Sequence, residues 1–96
     1  MAKYRIYAGL GSGFGGPSEV DVREFEDYDE AMEYAREQAV EEYQSYEGFH
    51  GVFDRDDVRQ DLRLSFGEEP SDDDVEMHYW EEVESWITYD VEEVNG

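Results

Sequence analysis

A glycine-rich stretch near the N-terminus constrains the fold more than any other segment. Residues 4–17 read YRIYAGLGSGFGGP, and a second β-rich run spans residues 20–25. In the first part of the stretch, alternate residues fall on one face of a strand: Tyr4, Ile6, Ala8 and Leu10. Two strand-like runs separated by a glycine-rich segment predict a β-hairpin with a long loop.

Three helices are predicted after the hairpin from capping residues and apolar spacing. The first is bounded by Asp27 and Gly48, the second by Asp54 and Gly67, and the third opens at Ser71. Helical periodicity predicts that each helix buries one stripe of side chains. The stripes are Tyr28, Met32, Ala35, Ala39, Tyr43 and Tyr46, then Val58, Leu62 and Phe66, then Val75, Tyr79 and Val83.

The C-terminal segment favours a third strand. Residues 85–91 read SWITYDV, in which β-branched and aromatic residues alternate. A continued helix is the alternative, so the sequence does not decide whether residues 85–94 form a strand or a helix. The predicted fold is α+β. A three-stranded antiparallel sheet, with strand one central, carries two to three helices in the order ββααβ, and residues 1–96 form a single acidic domain.

The charge of the chain is extreme. It has 28 acidic residues against seven lysines and arginines, a net charge of −21. Ordinary small domains carry a net charge of about 2–8 in magnitude. Eight Tyr, five Phe and two Trp exclude an acidic disordered tail. Adaptation to high salt is an alternative explanation, since only one lysine accompanies six arginines.

Several kinds of chemistry are disfavoured by the sequence. With no cysteine, neither a disulfide nor a thiolate site can form. The string Gly11-x-Gly13-x-x-Gly16 matches a dinucleotide fingerprint, but Pro17 and Ser18 lead into a strand instead of a helix. Acidic runs at 54–57 and 72–74 lack the glycine of a calcium loop. We predict no catalytic residue, no metal site and no cofactor. The absence of a long apolar run predicts a cytoplasmic protein.

Two histidines and a stripe of arginines receive structural interpretations. His50 is predicted in a turn beside Gly51, and His78 on the third helix. Arginines recur every four residues on the second helix, interleaved with aspartates, and favour ion pairs within that helix. The residues concerned are Arg55, Arg59 and Arg63 with Asp56, Asp57 and Asp61.

Acidic side chains recur at helical spacing and predict a partner-binding surface. One row on the first helix holds Glu30, Glu33, Glu37 and Glu41, a second holds Asp72, Asp73 and Glu76, and a third holds Glu81, Glu82 and Glu84. Several such rows together approach the charge density of duplex DNA. Phe14, on the glycine loop, and Tyr34, on the flank of the first helix, are predicted to supply apolar or stacking anchors.

The segment Tyr46-Glu47-Gly48-Phe49, in this acidic and aromatic-rich context, resembles the phage and plasmid anti-restriction proteins of the ArdA type. The chain is also similar to small phage-encoded proteins, among which inhibitors of CRISPR effectors occur. The resemblance implies a DNA mimic that occupies the DNA groove of a defence enzyme. It carries over no catalytic residue, because that family has none.

These observations predict a non-enzymatic inhibitor whose acidic surface blocks a nucleic-acid-binding defence enzyme. The expected partner is a basic nucleic-acid-binding protein of the host or its defence system, with no direct contact to nucleic acid or membrane. A homodimer stays open. The alternatives are a nucleotide- or metal-dependent protein that uses the glycine loop, and an acidic accessory protein of a salt-adapted organism.

Overall fold

A computed structural model describes residues 1–11, 14–49 and 51–94 of the chain. The elements follow the order β1, β2, α1, α2, α3, β3. Two compact units are present: Met1–Tyr43 with Trp86–Gly96, and Gln44–Ser85. The predicted α+β class and the order of strands and helices are confirmed, and the helices number three among the described residues. The single domain predicted over residues 1–96 stays a prediction.

The first unit is built on a three-stranded antiparallel sheet. Its strands are β1 (Ala2–Leu10), β2 (Ser18–Phe25) and β3 (Ile87–Val94), in the spatial order β2-β1-β3. The predicted central position of β1 is therefore confirmed. The register places Arg5 opposite Val22 on one side and Glu92 on the other. A β-bulge shifts the β1–β2 register between Ile6 and Tyr7.

One face of the sheet forms the core of this unit. The four β1 residues predicted on a common face are all buried: Tyr4, Ile6, Ala8 and Leu10. α1 (Tyr28–Ser45) contributes Ala31 and Ala35, which are fully buried in the same cluster as Tyr4, Ile6 and Val91. Burial of these side chains removes apolar surface from water and so stabilises the packing of the helix on the sheet.

The ends of α1 agree with the prediction at one terminus and differ at the other. The Glu30 backbone N–H donates to Asp27 Oδ1 at 2.8 Å, so Asp27 is the predicted N-cap. The helix ends at Ser45, three residues before Gly48. Gly48 instead occupies a turn with a φ of 82°, and its N–H donates to Val52 O.

Tyr28 was predicted to be buried but is 51% exposed, because the packed cluster begins one turn later at Ala31.

The loop between β1 and β2 leads from strand to strand, as the sequence predicted. Gly15 and Gly16 have φ values of 90° and 80°, which favour glycine. A Cβ on Gly9 would lie 2.8 Å from the Gly16 carbonyl oxygen, so the strand and the returning loop touch there. Gly13 of the glycine string lies outside the described residues.

The second unit contains α2 and most of α3. α2 (Arg55–Phe66) has Asp54 in a reciprocal capping box with Asp57, and it ends at left-handed Gly67. α3 (Asp72–Trp86) is opened by Ser71, whose hydroxyl accepts from the Asp74 N–H. The predicted inward residues are buried except one: Val58, Leu62, Val75, Tyr79 and Val83 are buried, whereas Phe66 is 55% exposed at the last position of α2. Periodicity gives the direction of such a terminal side chain but not the limit of the layer opposite it.

Residues 85–94 contain both a helix end and a strand, which follow each other without a loop. α3 continues through Trp86, and β3 begins at Ile87. β3 then pairs with β1 from Leu10↔Ile87 to Lys3↔Val94. The helical spacing therefore holds as far as Trp86, and the strand alternation holds from Ile87 onwards. His50, predicted in a turn, lies outside the described residues.

The sheet core predicts a contrast between its two faces. Ile6→Ala should destabilise the fold by about 2–5 kcal/mol, because Ile6 is fully buried on the central strand. Val22→Ala, at a position 41% exposed on β2, should change the unfolding free energy by about 0.5 kcal/mol or less. Urea denaturation of both variants at one fixed ionic strength measures the difference. Equal losses for the two would contradict this assignment of the core.

Candidate functional site

A row of four glutamates runs along the exposed side of α1. Helical geometry places Glu30, Glu33, Glu37 and Glu41 within an arc of about 80°. The buried residues Ala31, Ala35, Ala39 and Tyr43 are centred about 180° away on the same helix. All four glutamates are exposed. We call this set the α1 row, and its direction is fixed by the alanines that pack beneath the helix.

The carboxylates of the α1 row have no hydrogen-bond or ion-pair partner among the described residues. None of the four accepts a hydrogen bond or forms an ion pair there. Two arginines of the same unit pair with other acids: Arg23 Nε lies 2.7 Å from Asp21 Oδ2, and Arg5 Nη1 donates to Glu92 Oε1 at 3.0 Å. The α1 row is consequently a strip of negative charge without a hydrogen-bond or ion-pair partner among the residues that the structure describes.

The second predicted row is largely neutralised within its own unit. Asp72 Oδ1 accepts from Arg59 Nη2 at 2.7 Å. Glu76 accepts two hydrogen bonds from Arg55, from Nε at 2.8 Å and from Nη2 at 2.9 Å. Asp73 is exposed and has neither a hydrogen bond nor an ion pair within the described residues. Of this row, only Asp73 retains an uncommitted charge.

The arginine stripe of α2 connects segments instead of pairing within its helix. Arg59 and Arg63 both donate to Glu69, in the loop after α2, and Arg59 also reaches Asp72. The prediction of intrahelical pairs with neighbouring aspartates was wrong. Spacing along one helix identifies the pairs that are possible, but α3 and the loop bring acceptors that a single-helix argument does not contain. Glu69 was missed because it lies beyond the Gly67 stop.

Arg55, Glu76 and Tyr79 form a tight polar cluster. The Arg55 guanidinium lies 4.1 Å from the centre of the buried Tyr79 ring. It also donates hydrogen bonds to the Glu76 carboxylate, which accepts a further one from Trp80 Nε1. The hydrogen bonds from Arg55 and then from Trp80 lower the pKa of Glu76 to about 2. Burial, together with its hydrogen bond to Glu47, raises the pKa of Tyr79 to about 12. The cluster therefore stabilises the second unit most when Glu76 is ionised and Tyr79 is protonated.

The third predicted row is mixed. Glu81 Oε2 lies 3.4 Å from His78 Nδ1, and Glu81 is exposed. Glu82 is half-buried, Glu84 is exposed, and both have interactions of their own. Among the three predicted rows, only the α1 row is both fully exposed and without internal partners in the described part of the chain.

The two predicted anchors are held by contacts inside the first unit. The Phe14 ring packs edge-on against Trp86, with 5.7 Å between ring centres. Tyr34 contacts Phe25 at 5.4 Å, and its hydroxyl donates to Asp21 Oδ2 at 3.1 Å. Burial is the main cause that raises the pKa of Tyr34. Both rings are half-buried, so each has a part of its surface left for contact with a partner.

Within the described residues, no group of three or more histidines or carboxylates has the arrangement of a metal site. None of the described helices is long and apolar enough to cross a bilayer. A comparison with family models, with curated proteins and with solved structures finds no match to this chain.

The Glu76 cluster predicts an acid-dependent loss of stability. A carboxylate whose pKa is depressed on folding contributes its full stabilisation above the unfolded pKa near 4.5, and loses it as the pH falls towards 2. Glu76→Gln should therefore lower the unfolding free energy at pH 7, and the difference from wild type should shrink below pH 4.5. Denaturant unfolding between pH 7 and pH 2 measures this change.

Glu68→Gln is the matched control, because Glu68 is exposed and has no hydrogen bond or ion pair in the described part of the chain. It should shift stability little at any pH. An NMR titration in which the Glu76 carboxyl changes protonation near pH 4.5 would contradict the cluster.

Proposed function

We propose that this protein is a non-enzymatic inhibitor that offers a DNA-like acidic surface to a nucleic-acid-binding defence enzyme. The observation that carries the proposal is the α1 row: four exposed carboxylates on one side of a helix, none of them neutralised by the described residues. The expected partner is a restriction enzyme or a CRISPR effector, whose basic groove would accept this surface in place of DNA.

The spacing of the row supports this proposal in magnitude. From Glu30 to Glu41 the helix rises about 16 Å, so the row carries one charge every 4 Å to 6 Å or so. One strand of B-DNA carries a phosphate about every 3.4 Å of axis. The row alone is more dilute than a strand. The rest of the net charge of −21 supplies the surrounding negative field.

The same charge supports a protein partner over a nucleic acid. A field of this sign repels phosphates and attracts basic grooves, and such attraction raises association rates by roughly 10-fold to 1,000-fold at low salt. Asp72 and Glu76 of the second predicted row already hold arginines, so the α1 row offers a basic groove more unpaired charge than that row does. We place this activity in the cytoplasm, where restriction and CRISPR enzymes meet DNA.

Charge reversal along the α1 row tests the proposal. The triple variant Glu30→Lys/Glu33→Lys/Glu37→Lys should raise the concentration needed for half-inhibition of DNA cleavage at least about tenfold, since exposed pairs contribute up to about 1 kcal/mol each. The assay measures cleavage by a panel of purified type I restriction enzymes and Cas effectors, with increasing amounts of the protein. Inhibition by wild type should weaken as salt is raised.

The matched control is Glu24→Lys/Glu26→Lys/Glu68→Lys, which changes the net charge equally at exposed positions outside the predicted rows. It should retain most of the inhibition. If no enzyme of the panel is inhibited, or if both triple variants lose inhibition equally, the α1 row is not the inhibitory surface.

A further inference from the structure

The second unit contains a cavity with an apolar floor and an acidic rim. It has a volume of about 160 Å³ and lies between α2 and α3. An engineered cavity of about 150 Å³ is enough to hold a benzene molecule. The space is thus suited to one side chain or a small molecule of similar size.

The lining defines what the cavity can accept. Phe53, Val58 and Leu62 supply apolar surface, and the latter two are buried. Asp61, Glu81 and Glu82 supply carboxylates, and His78 is the one basic side chain in the lining. An anionic ligand would be repelled by this rim, and a neutral apolar ligand would cover carboxylates without pairing them. A cation on an apolar stem fits both parts of the lining.

The arginines of α2 do not supply that cation. Arg55 is engaged with Glu76, Arg59 with Glu69 and Asp72, and Arg63 with Glu69. Asp61, on the cavity rim, has no hydrogen bond or ion pair within the described residues. Arg55, stacked on an aromatic ring and paired with a carboxylate, shows that this unit already holds one guanidinium by the same chemistry.

We propose that this cavity binds one arginine side chain of the partner protein. The alkyl stem would lie on Leu62 and Val58, the guanidinium plane would face Phe53, and the N–H groups would donate to Asp61 and Glu81. Arginine is favoured over lysine because its planar head pairs with carboxylates in a fork and stacks on rings. The inference rests on the proposed function for the source of the arginine, but its chemistry can be tested without the partner.

An NMR titration of the full-length protein tests the cavity directly. The probes are N-acetyl-arginine amide, its neutral isostere N-acetyl-citrulline amide, and the corresponding N-acetylated lysine amide. Arginine amide should shift the backbone amide signals of Phe53, Asp61, Glu81 and Ser85, with an affinity at least about fivefold higher than that of either other probe. Equal binding of the citrulline or lysine probe would overturn the assignment.

Variants separate the cavity from the general negative field. Asp61→Asn/Glu81→Gln should weaken binding of arginine amide about tenfold, since it removes two charge-assisted partners. Ser85→Phe, at an exposed position on the rim, should block binding by filling the space without changing the charge. The control Glu24→Gln/Glu26→Gln removes two exposed charges from the other unit and should alter the affinity less than about twofold.

The outcomes distinguish this proposal from the proposed function. The assignment of the cavity as an arginine site would be wrong if the control lost as much affinity as Asp61→Asn/Glu81→Gln, or if the signal shifts spread over the whole acidic surface. The cleavage assay would still test the proposed inhibition independently. Selective arginine binding would support the arginine site even if no enzyme of the panel were inhibited. In that case only the proposed inhibitory function would be wrong.

Discussion

The apolar cluster that α1 shares with the sheet is the contact on which the rest of the first unit depends. Ala31 and Ala35 are fully buried in one cluster with Tyr4 and Ile6. A helix seated in this way has little freedom to rotate about its axis, because rotation would expose the alanines and bury charge. The side opposite the alanines is therefore held outward, and it is the side that carries the α1 row.

Electrostatic compensation divides the acidic residues into two groups. In the second unit, three arginines of α2 connect acids of the following loop and of α3, and the pKa of Glu69 is lowered mainly by its hydrogen bonds from Arg63 and Arg59. In the first unit, the α1 row has no such connection among the described residues. With only seven lysines and arginines for 28 acids, most carboxylates must stay unpaired. What distinguishes the α1 row is that its uncompensated charges share one side of one helix, where a basic groove can meet all of them together.

The local features of this fold could be predicted from the sequence, but most of its long-range contacts could not. Alternation in β1, the Asp54 and Gly67 caps and the inward stripe of α3 each depend on neighbouring residues, so they could be predicted from the chain alone. Tyr28 was assigned wrongly because the extent of the opposing layer is a tertiary property. Partners of the arginine stripe depend on the approach of α3, and the cavity beside Asp61 depends on how two helices pack. The four glutamates of the α1 row could be predicted as exposed, whereas their lack of internal partners needed coordinates.

We propose that the α1 row takes the place of DNA phosphates in a basic groove. The most direct test of this proposal is a map of the bound surface, obtained by recording the backbone amide NMR signals of the labelled protein with an inhibited enzyme added. We expect selective broadening of the signals of residues 30–41, and recovery of these signals when excess duplex DNA is added to compete. Unchanged α1 signals, with broadening confined to other surfaces or unaffected by the duplex, would contradict it.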